Sequence, residues 1–273
     1  MTRYAEHLAD AWSEFWSTGD ARAAVVIYAR GVQWWDVGRG RGTEAVGPES
    51  LAAVHRAHHW SADRFGVHVR RLVAGASGAA VEFVATARDC HSWSAAPGCA
   101  FWRVDGDGRI THERWYWDWS GRQSATPSVE GHTVPGGGAR DARDARDDAW
   151  YRRFATDLLR AWDASPVRVV DRSCAGDVVL DLMGRGPDGV HRGSAAVRAA
   201  MEHLDTDLVE RSSRVDEVVG AGPLVAVSHL TETRTTGGPR RTTPVAQVLT
   251  LDDHDQIVSS HAYVARAWPR GRR

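Results

Sequence analysis

The sequence contains no lysine and no asparagine, and each absence excludes a class of chemistry. All 34 basic residues among the 273 are arginine, and 35 residues are acidic. Without lysine the chain cannot form a Schiff base, anchor pyridoxal phosphate or supply a P-loop lysine. Without asparagine it has no N-glycosylation acceptor and cannot be a Cys-His-Asn protease. Acid/base chemistry in this chain therefore depends on aspartate, glutamate and histidine.

Cysteine and long apolar runs are also scarce. Cys90, Cys99 and Cys174 form an odd set without CxxC spacing, which argues against a disulfide framework and a zinc ribbon. No apolar run approaches the roughly 18 residues that a membrane span needs, and the charged N-terminal sequence is not typical of a signal peptide. The formal net charge of −1 predicts no nucleic-acid and no membrane partner. We expect a cytoplasmic protein.

One order of elements occurs twice in the chain, on either side of a linker. Glycine, proline and serine are frequent between 123 and 146, which predicts a flexible linker between domains at 1–122 and 147–273. Each domain begins with an amphipathic helix and continues with a short strand, a further helix and four strands. In the first domain a second helix is expected at 21–31, between the amphipathic helix and the short strand. Helices followed by a curved antiparallel sheet predict an α+β fold in each half. The strands are expected at 67–74, 79–88, 99–104 and 109–119, and again near 214–219, 224–234, 244–251 and 256–265.

This order, with an aspartate ending the first strand and a glycine-opened helix 11–12 residues later, resembles the nuclear-transport-factor-2-like superfamily. That superfamily includes ketosteroid isomerases, SnoaL-like polyketide cyclases and limonene-type epoxide hydrolases. The resemblance covers nearly the whole chain in two copies. It implies two cystatin-like conical barrels, each a curved antiparallel sheet wrapped by three helices, fused as a pseudo-dimer. The concave face of each sheet would line a pocket.

Two aspartates occupy positions that the resemblance marks as functional. Asp36 is similar in position to the general base of ketosteroid isomerase, and Asp181 is its match in the second copy. Burial in an apolar cleft raises the pKa of a carboxyl and suits it to proton transfer. Alternatively, each aspartate only caps the loop after its strand. The oxyanion-hole positions correspond to Trp12 and Ala100 in the first copy and to Gln247 in the second, so steroid-isomerase chemistry is not expected.

An acid partner for Asp36 has to come from elsewhere, because the acid usual in the last strand of these families is replaced. Its positions carry Trp115 in the first copy and Ala262 in the second. Strand alternation places Glu113 on the face of Trp115. The resemblance to tandem polyether-type epoxide hydrolases, which pair such an Asp with a downstream acid, adds Asp63. His59 is the third candidate, and no metal site is expected from the helix histidines.

Tryptophan is concentrated in the first copy: ten of the 13 lie in residues 1–119. Strand alternation therefore predicts an indole-lined first pocket. Its indoles either bind a flat or cationic group or fill the cone as a packed core. The predicted substrate contacts in this pocket are Trp12, Trp34, Phe83, Trp102, Trp115 and Trp117.

The second pocket has smaller side chains and a different set of polar groups. Gln247 and Ser260 are predicted to contact substrate there, and Asp181 and His229 to supply polarity. A His–Asp arrangement can perform acid/base work near neutral pH. Alternatively, His229 is a core histidine that hydrogen-bonds to a neighbouring backbone group. The two pockets are thus predicted to differ, one indole-lined and the other small and polar.

The function that these features favour is acid/base tailoring of an apolar small molecule in natural-product biosynthesis, without cofactor or metal. Asp36 would be the general base for a cyclisation, the opening of a strained ring or the loss of a leaving group. The expected partner is a small-molecule substrate, and a homodimer is possible in addition to the pseudo-dimer. The alternative is a non-catalytic binding module, or one catalytic and one scaffold domain.

Overall fold

The computed structural model describes residues 2–37, 44–59, 64–76, 78–88, 93–117, 123–124, 146–183 and 186–265. The chain forms two compact units, Met1–Ala139 with Arg266–Arg273, and Arg140–Ala265. The division between them falls inside the predicted linker, although Gln123 and Ser124 at its start pair with a strand of the first unit. No helix among the described residues is long and apolar enough to cross a membrane.

The first unit consists of three helices and a mixed sheet. Helix α1 carries Leu8, Trp12, Phe15 and Trp16 at helical spacing, and all four side chains are buried against the sheet. The Asp20 carboxylate caps α2 by accepting from the Arg22 amide at 2.8 Å. The elements are α1 (Thr2–Thr18), α2 (Ala21–Ile27), β1 (Tyr28–Asp36), β2 (Glu44–Val46), α3 (Pro48–His59), β3 (Arg64–Ala74), β4 (Gly78–Arg88), β5 (Trp93–Val104), β6 (Ile110–Trp117) and β7 (Gln123–Ser124).

The second unit repeats these elements. The Asp147 carboxylate caps its first helix, and Ser165 followed by Pro166 begins its second. The elements are α4 (Asp148–Ala164), α5 (Pro166–Ser173), β8 (Cys174–Leu182), a turn of 3₁₀ helix (Gly186–Gly189), β9 (Val190–Arg192), α6 (Ser194–Asp205), β10 (Leu208–Ala221), β11 (Leu224–Thr235), β12 (Arg241–Leu251) and β13 (Ile257–Val264).

Both sheets have the same strand order. It is β2-β1-β6-β5-β4-β3 in the first unit and β9-β8-β13-β12-β11-β10 in the second. The α+β class and the two three-helix units are confirmed. The strand pairs are antiparallel as expected, apart from β1 with β6 and β8 with β13, which run parallel and make each sheet mixed. After β1 the chain forms β2 to β5, and β6 then pairs in parallel with the side of β1 opposite β2.

Matching residues in the two units can be identified from the strand registers. Ala100 pairs with Trp115 in the first sheet, as Gln247 pairs with Ala262 in the second, so both predicted correspondences are confirmed. The bulge in β3 between Val69 and Arg71 recurs in β10 between Val215 and Glu217. The helices correspond as well: Ser17 of α1 hydrogen-bonds to the backbone of Val67, and Asp163 of α4 to that of Ser213.

Candidate functional site

The interior of the first unit is filled by aromatic rings. The Trp115 ring centroid lies 4.5 Å from that of Trp16, 4.9 Å from Phe83 and 5.1 Å from Trp117. These ring contacts favour the interpretation of the tryptophan excess as a packed core. The six predicted substrate contacts, each at most 3% exposed, are Trp12, Trp34, Phe83, Trp102, Trp115 and Trp117.

A carboxyl group lies among these rings. Glu113 is fully buried, and it accepts hydrogen bonds from the indole N–H of Trp12 at 2.6 Å and of Trp115 at 2.5 Å, and from the Tyr28 hydroxyl at 2.5 Å. Burial raises the pKa of Glu113 to about 7, and the hydrogen bonds from Trp115, Tyr28 and Trp12 oppose that rise. Glu113 therefore changes its protonation state near neutral pH inside a closed hydrogen-bond network.

Tyr28 is a further member of this network, although the sequence pattern predicts it within the second helix. In the structure β1 begins at Tyr28, and its buried residues are Tyr28, Val32, Trp34 and Asp36, with Arg30 exposed between the first two. The alternation that marks the strand therefore begins only at Val32 and gives no signal for Tyr28. Burial and the neighbouring Glu113 raise the pKa of Tyr28 well above its ordinary value, so its hydroxyl stays protonated and remains a donor.

Asp36 faces the same interior. It is 1% exposed, and one carboxylate oxygen accepts the indole N–H of Trp117 at 3.0 Å. In the register of β1 and β6, Asp36 pairs with Trp115 and Trp34 pairs with Glu113, so the two acids share one face of the sheet. Their expected positions on the inner face agree with the structure. Their catalytic roles remain predictions.

The correspondence of Asp181 with Asp36 is wrong. Asp36 pairs with Trp115, and the residue that pairs with the matching Ala262 is Leu182. Asp181 is one position out of register and corresponds to Trp35, on the other face of the strand. A slip of one residue turns a side chain to the opposite face of a sheet. Asp181 and His229 therefore do not form the predicted pair within one pocket.

The other proposed partners of Asp36 cannot be placed. The His59 side chain and Asp63 lie outside what the structure describes, as do Asp118 and Trp119 at the end of the expected strand 109–119. His55 is buried, its Nε2 lies 3.1 Å from the Trp16 carbonyl oxygen, and burial lowers its pKa. Within the described residues, no group of three His, Cys, Asp or Glu side chains could hold a metal ion.

The second unit contains a cavity where the first has a packed core. The space open to the centre of a water-sized sphere is about 30 Å³, and since one water needs roughly 10–15 Å³ on this measure, two or three would fit. Gln247 and Ser260 line it as predicted, and because most of the other wall residues are aliphatic the pocket is less polar than expected. The lining residues are Leu158, Leu159, Trp162, Val169, Val170, Cys174, Val178, Leu180, Val197, Gln247, Leu249, Ile257 and Ser260.

The cavity exists because larger interior residues of the first unit are matched by smaller ones in the second. At three of these positions an indole is replaced by an isobutyl group. At two more, the members of the hydrogen-bonded Tyr–Glu pair are replaced by a thiol and a hydroxyl. The matched positions are Trp12 and Leu158, Trp34 and Leu180, Trp102 and Leu249, Tyr28 and Cys174, and Glu113 and Ser260.

Two titratable groups lie in or near this cavity, and both are uncharged at neutral pH. Burial raises the pKa of the Cys174 thiol to about 11, so the thiol stays protonated. His229 is 4% exposed, and burial lowers its pKa to about 4, although the Asp163 charge and the Gln247 side chain oppose that shift. The cavity therefore presents neutral polar groups on an apolar wall.

Residues 155–260, which include most of the wall of this cavity, match the family model of the SnoaL-like domain. Over these residues the second unit is similar to SnoaL-like domains. The first unit has the same order of helices and strands, so the chain contains this fold twice. No curated protein matches the sequence.

Solved structures of low sequence identity resemble part of the chain. A putative SnoaL-like polyketide cyclase from Shewanella denitrificans is 15% identical, with 42% of this chain and 89% of that chain covered and a TM-score of 0.37. An epoxide hydrolase of Mycobacterium tuberculosis resembling limonene epoxide hydrolases is 17% identical over 42% and 81% of the two chains, with a TM-score of 0.35. A hypothetical protein with a ketosteroid-isomerase-like fold from Catenulispora acidiphila is 18% identical over 40% and 82%, with a TM-score of 0.35.

Proposed function

We propose that the second unit binds a small, largely apolar molecule in its cavity and that the first unit is a packed scaffold. The observation that carries this proposal is the replacement of Trp12, Trp34 and Trp102 by leucines at the matching positions of the second unit. Leucine leaves volume that indole fills, and apolar cavities of this kind take up apolar ligands. The proposal takes the non-catalytic binding module from one alternative that the sequence left open, and the scaffold domain from the other.

The wall of the cavity indicates what the ligand carries. Most of its residues are aliphatic, so the greater part of the ligand is hydrocarbon. The Ser260 hydroxyl can donate and accept a hydrogen bond, and the Gln247 amide has one end of each kind. A ligand with a single polar group can hydrogen-bond to this pair while its remainder contacts the leucine and valine side chains. Since the Cys174 thiol stays protonated, it serves as an apolar wall residue and not as a nucleophile.

The test is to fill the cavity with the residue that the first unit has at the same place. Leu249→Trp reproduces Trp102, and we expect it to weaken binding of xenon, measured by chemical-shift changes in NMR under xenon pressure, at least tenfold. Overpacking costs about 1–3 kcal/mol, so the fold of the variant is checked by thermal unfolding. Val209→Trp, at an exposed site of the same unit, is the matched control. Equal affinity of wild type and Leu249→Trp would contradict the proposal.

Acid/base catalysis in the first unit is the second candidate, and the pKa of Glu113 favours it. A carboxyl with a pKa of about 7 can hold or release a proton at neutral pH, and Asp36 lies on the same inner face. Together they could open a strained ring without a cofactor, as in the natural-product tailoring that the sequence predicts. The indoles would have to move apart to admit the substrate.

Hydrolysis of cyclohexene oxide tests this candidate. Asp36→Asn keeps the shape of the side chain and removes its basicity, so we expect turnover to fall to the uncatalysed rate. Asp107→Asn, in the exposed turn before β6, is the control and should keep the wild-type rate. An unchanged rate in Asp36→Asn would contradict a catalytic role of Asp36.

A further inference from the structure

Three polar side chains cross the inner face of the second sheet along one diagonal. His229 of β11 pairs with Val245, two residues before Gln247 on β12. Ser260 of β13 pairs with Leu249, two residues after Gln247. Residues two apart in a strand point to the same face, and long side chains reach a diagonal neighbour on the next strand. Gln247 therefore lies between His229 and Ser260, and both Gln247 and Ser260 line the cavity.

The ring of His229 is held between Gln247 and a chain of hydrogen bonds. Its Nδ1 lies 3.0 Å from the Thr231 hydroxyl, which lies 3.2 Å from the Ser213 hydroxyl. Ser213 donates to a carboxylate oxygen of Asp163 at 2.7 Å, and its backbone N–H donates to the other oxygen at 2.6 Å. The Gln247 side chain hydrogen-bonds to the same ring. Because Nδ1 faces Thr231, the partner of Gln247 is Nε2.

The direction of each hydrogen bond follows from the number of protons available. The ionised Asp163 carboxylate can only accept, so the Ser213 hydroxyl proton points toward it and Ser213 accepts from Thr231. The only hydroxyl proton of Thr231 is used in that bond, so Nδ1 of His229 is the donor to Thr231. Burial lowers the pKa of His229 to about 4, so the ring has one proton at pH 7 and Nε2 has a lone pair. Gln247 must therefore turn its NH₂ group toward the ring.

The carbonyl oxygen at the other end of the Gln247 amide is then left for the cavity. The Ser260 hydroxyl, on the other side of Gln247, can both donate and accept. A hydroxyl group of a ligand can donate to the Gln247 oxygen while it accepts from Ser260. An ether or carbonyl group of a ligand can only accept, and it would displace water from the Gln247 oxygen without replacing the hydrogen bond, which is unfavourable.

We propose that His229 positions the Gln247 amide so that its carbonyl oxygen accepts a hydrogen bond from a hydroxyl group of the molecule bound in the cavity. This inference rests on the proposed binding function of the second unit. Since the cavity has room for two or three water molecules, the ligand class is a short aliphatic chain with one hydroxyl group. His229 is a positioning residue, because it acts on the ligand only through Gln247.

The experiment compares ethanol with dimethyl ether, which has the same atoms but no hydrogen-bond donor. Both are titrated at pH 7 into the full-length wild type and into Thr231→Val, and binding is measured by NMR chemical shifts. Thr231→Val removes the acceptor of the Nδ1 proton, so we expect the proton to move to Nε2 and the Gln247 amide to turn its NH₂ group toward the cavity. The ethanol-to-ether affinity ratio should then fall about tenfold. Thr231→Ser keeps a hydroxyl and should preserve the ratio.

Gln247→Met provides a second variant, because methionine has a similar length but no amide group. It should lower the ethanol-to-ether ratio as Thr231→Val does, and thermal unfolding checks that both variants are folded. Nitrogen-15 NMR of the imidazole should show a protonated Nδ1 and an unprotonated Nε2 in the wild type and in Thr231→Ser.

Three results would overturn this inference alone: a protonated Nε2 in the wild type, an unchanged ratio in either folded variant, or failure of ethanol to bind a wild type that binds xenon. Failure of xenon to bind the second unit would contradict the proposed function, and this inference with it.

Discussion

The two units share one fold and differ in what fills it. At the same inner position of the last strand, the first unit has Trp115 and the second has Ala262; on the strand beside it, Trp102 is matched by Leu249. In one unit the cone is a core of indoles in tilted and edge-to-face contact around a carboxyl group, and in the other it encloses a cavity. The strand register of a duplicated fold can therefore be the same in both copies although side chains fill the interior of one copy and the interior of the other encloses a cavity.

Removing the central indole of the first unit should have the largest effect on stability. Trp115→Ala introduces the residue found at the matching position of the second unit and removes a donor to Glu113 as well as a ring packed on five others. We expect a loss of about 3–5 kcal/mol in the free energy of unfolding. Tryptophan fluorescence during urea denaturation would measure it, since ten of the 13 tryptophans lie in residues 1–119.

Trp35→Ala is the matched control for that variant. Its indole stacks on His112 on the outer face of the sheet and is half-buried, so its removal should cost about 1 kcal/mol. If both variants lost the same free energy, the first unit would not depend on its indole core.

Glu113 should make the stability of the first unit pH-dependent. Its pKa rises from an ordinary 4.5 to about 7 on folding, so the folded state binds a proton more tightly than the unfolded state. The resulting stabilisation is complete below pH 4.5 and is lost as the pH rises through 7. Over that range the loss amounts to about 3 kcal/mol.

Glu113→Gln removes this titration, so its free energy of unfolding should vary less between pH 5 and pH 8 than that of the wild type. The difference between the two proteins, measured by urea denaturation at each pH, isolates Glu113 from the histidines that titrate in the same range. Parallel pH profiles would show that Glu113 does not change its protonation on folding.

The cavity of the second unit should protect Cys174 from thiol reagents. Its pKa of about 11, against an ordinary 9, lowers the thiolate fraction about a hundredfold at pH 8. We expect iodoacetamide to modify Cys174 about a hundred times more slowly in the folded protein than in the unfolded chain, as measured by peptide mass spectrometry. Modification at the rate of the unfolded chain would indicate that the cavity wall opens freely.

The sequence predicted the fold more fully than the site. Repeated helix and strand patterns were enough for the α+β class and the duplication, and alternation placed Glu113 and Trp115 on one face, because these are properties of local periodicity. The register of β8 was not predictable in this way. The similar sequences WWD (34–36) and VLD (179–181) suggest that Asp181 matches Asp36, but in the structure Asp181 corresponds to Trp35. Whether five indoles fill a cone or line it also depends on side-chain volumes summed in three dimensions.

His229 shows a further limit of sequence reasoning. Its pairing with Thr231 lies within one strand and could be anticipated from alternation. The continuation to Ser213 and Asp163 joins three separate elements, and only the register of β10 with β11 and the packing of α4 bring these residues together. A polar chain of this kind has no signature in spacing along the sequence.

Xenon provides the most direct test of the central claim, because it enters apolar cavities and not packed cores. A crystal of the full chain held under xenon pressure should show xenon in the second unit, in contact with Leu180 and Leu249, and none among the indoles around Trp115. Xenon bound in the first unit, or absent from the second, would contradict the division into a packed scaffold and an open binding unit.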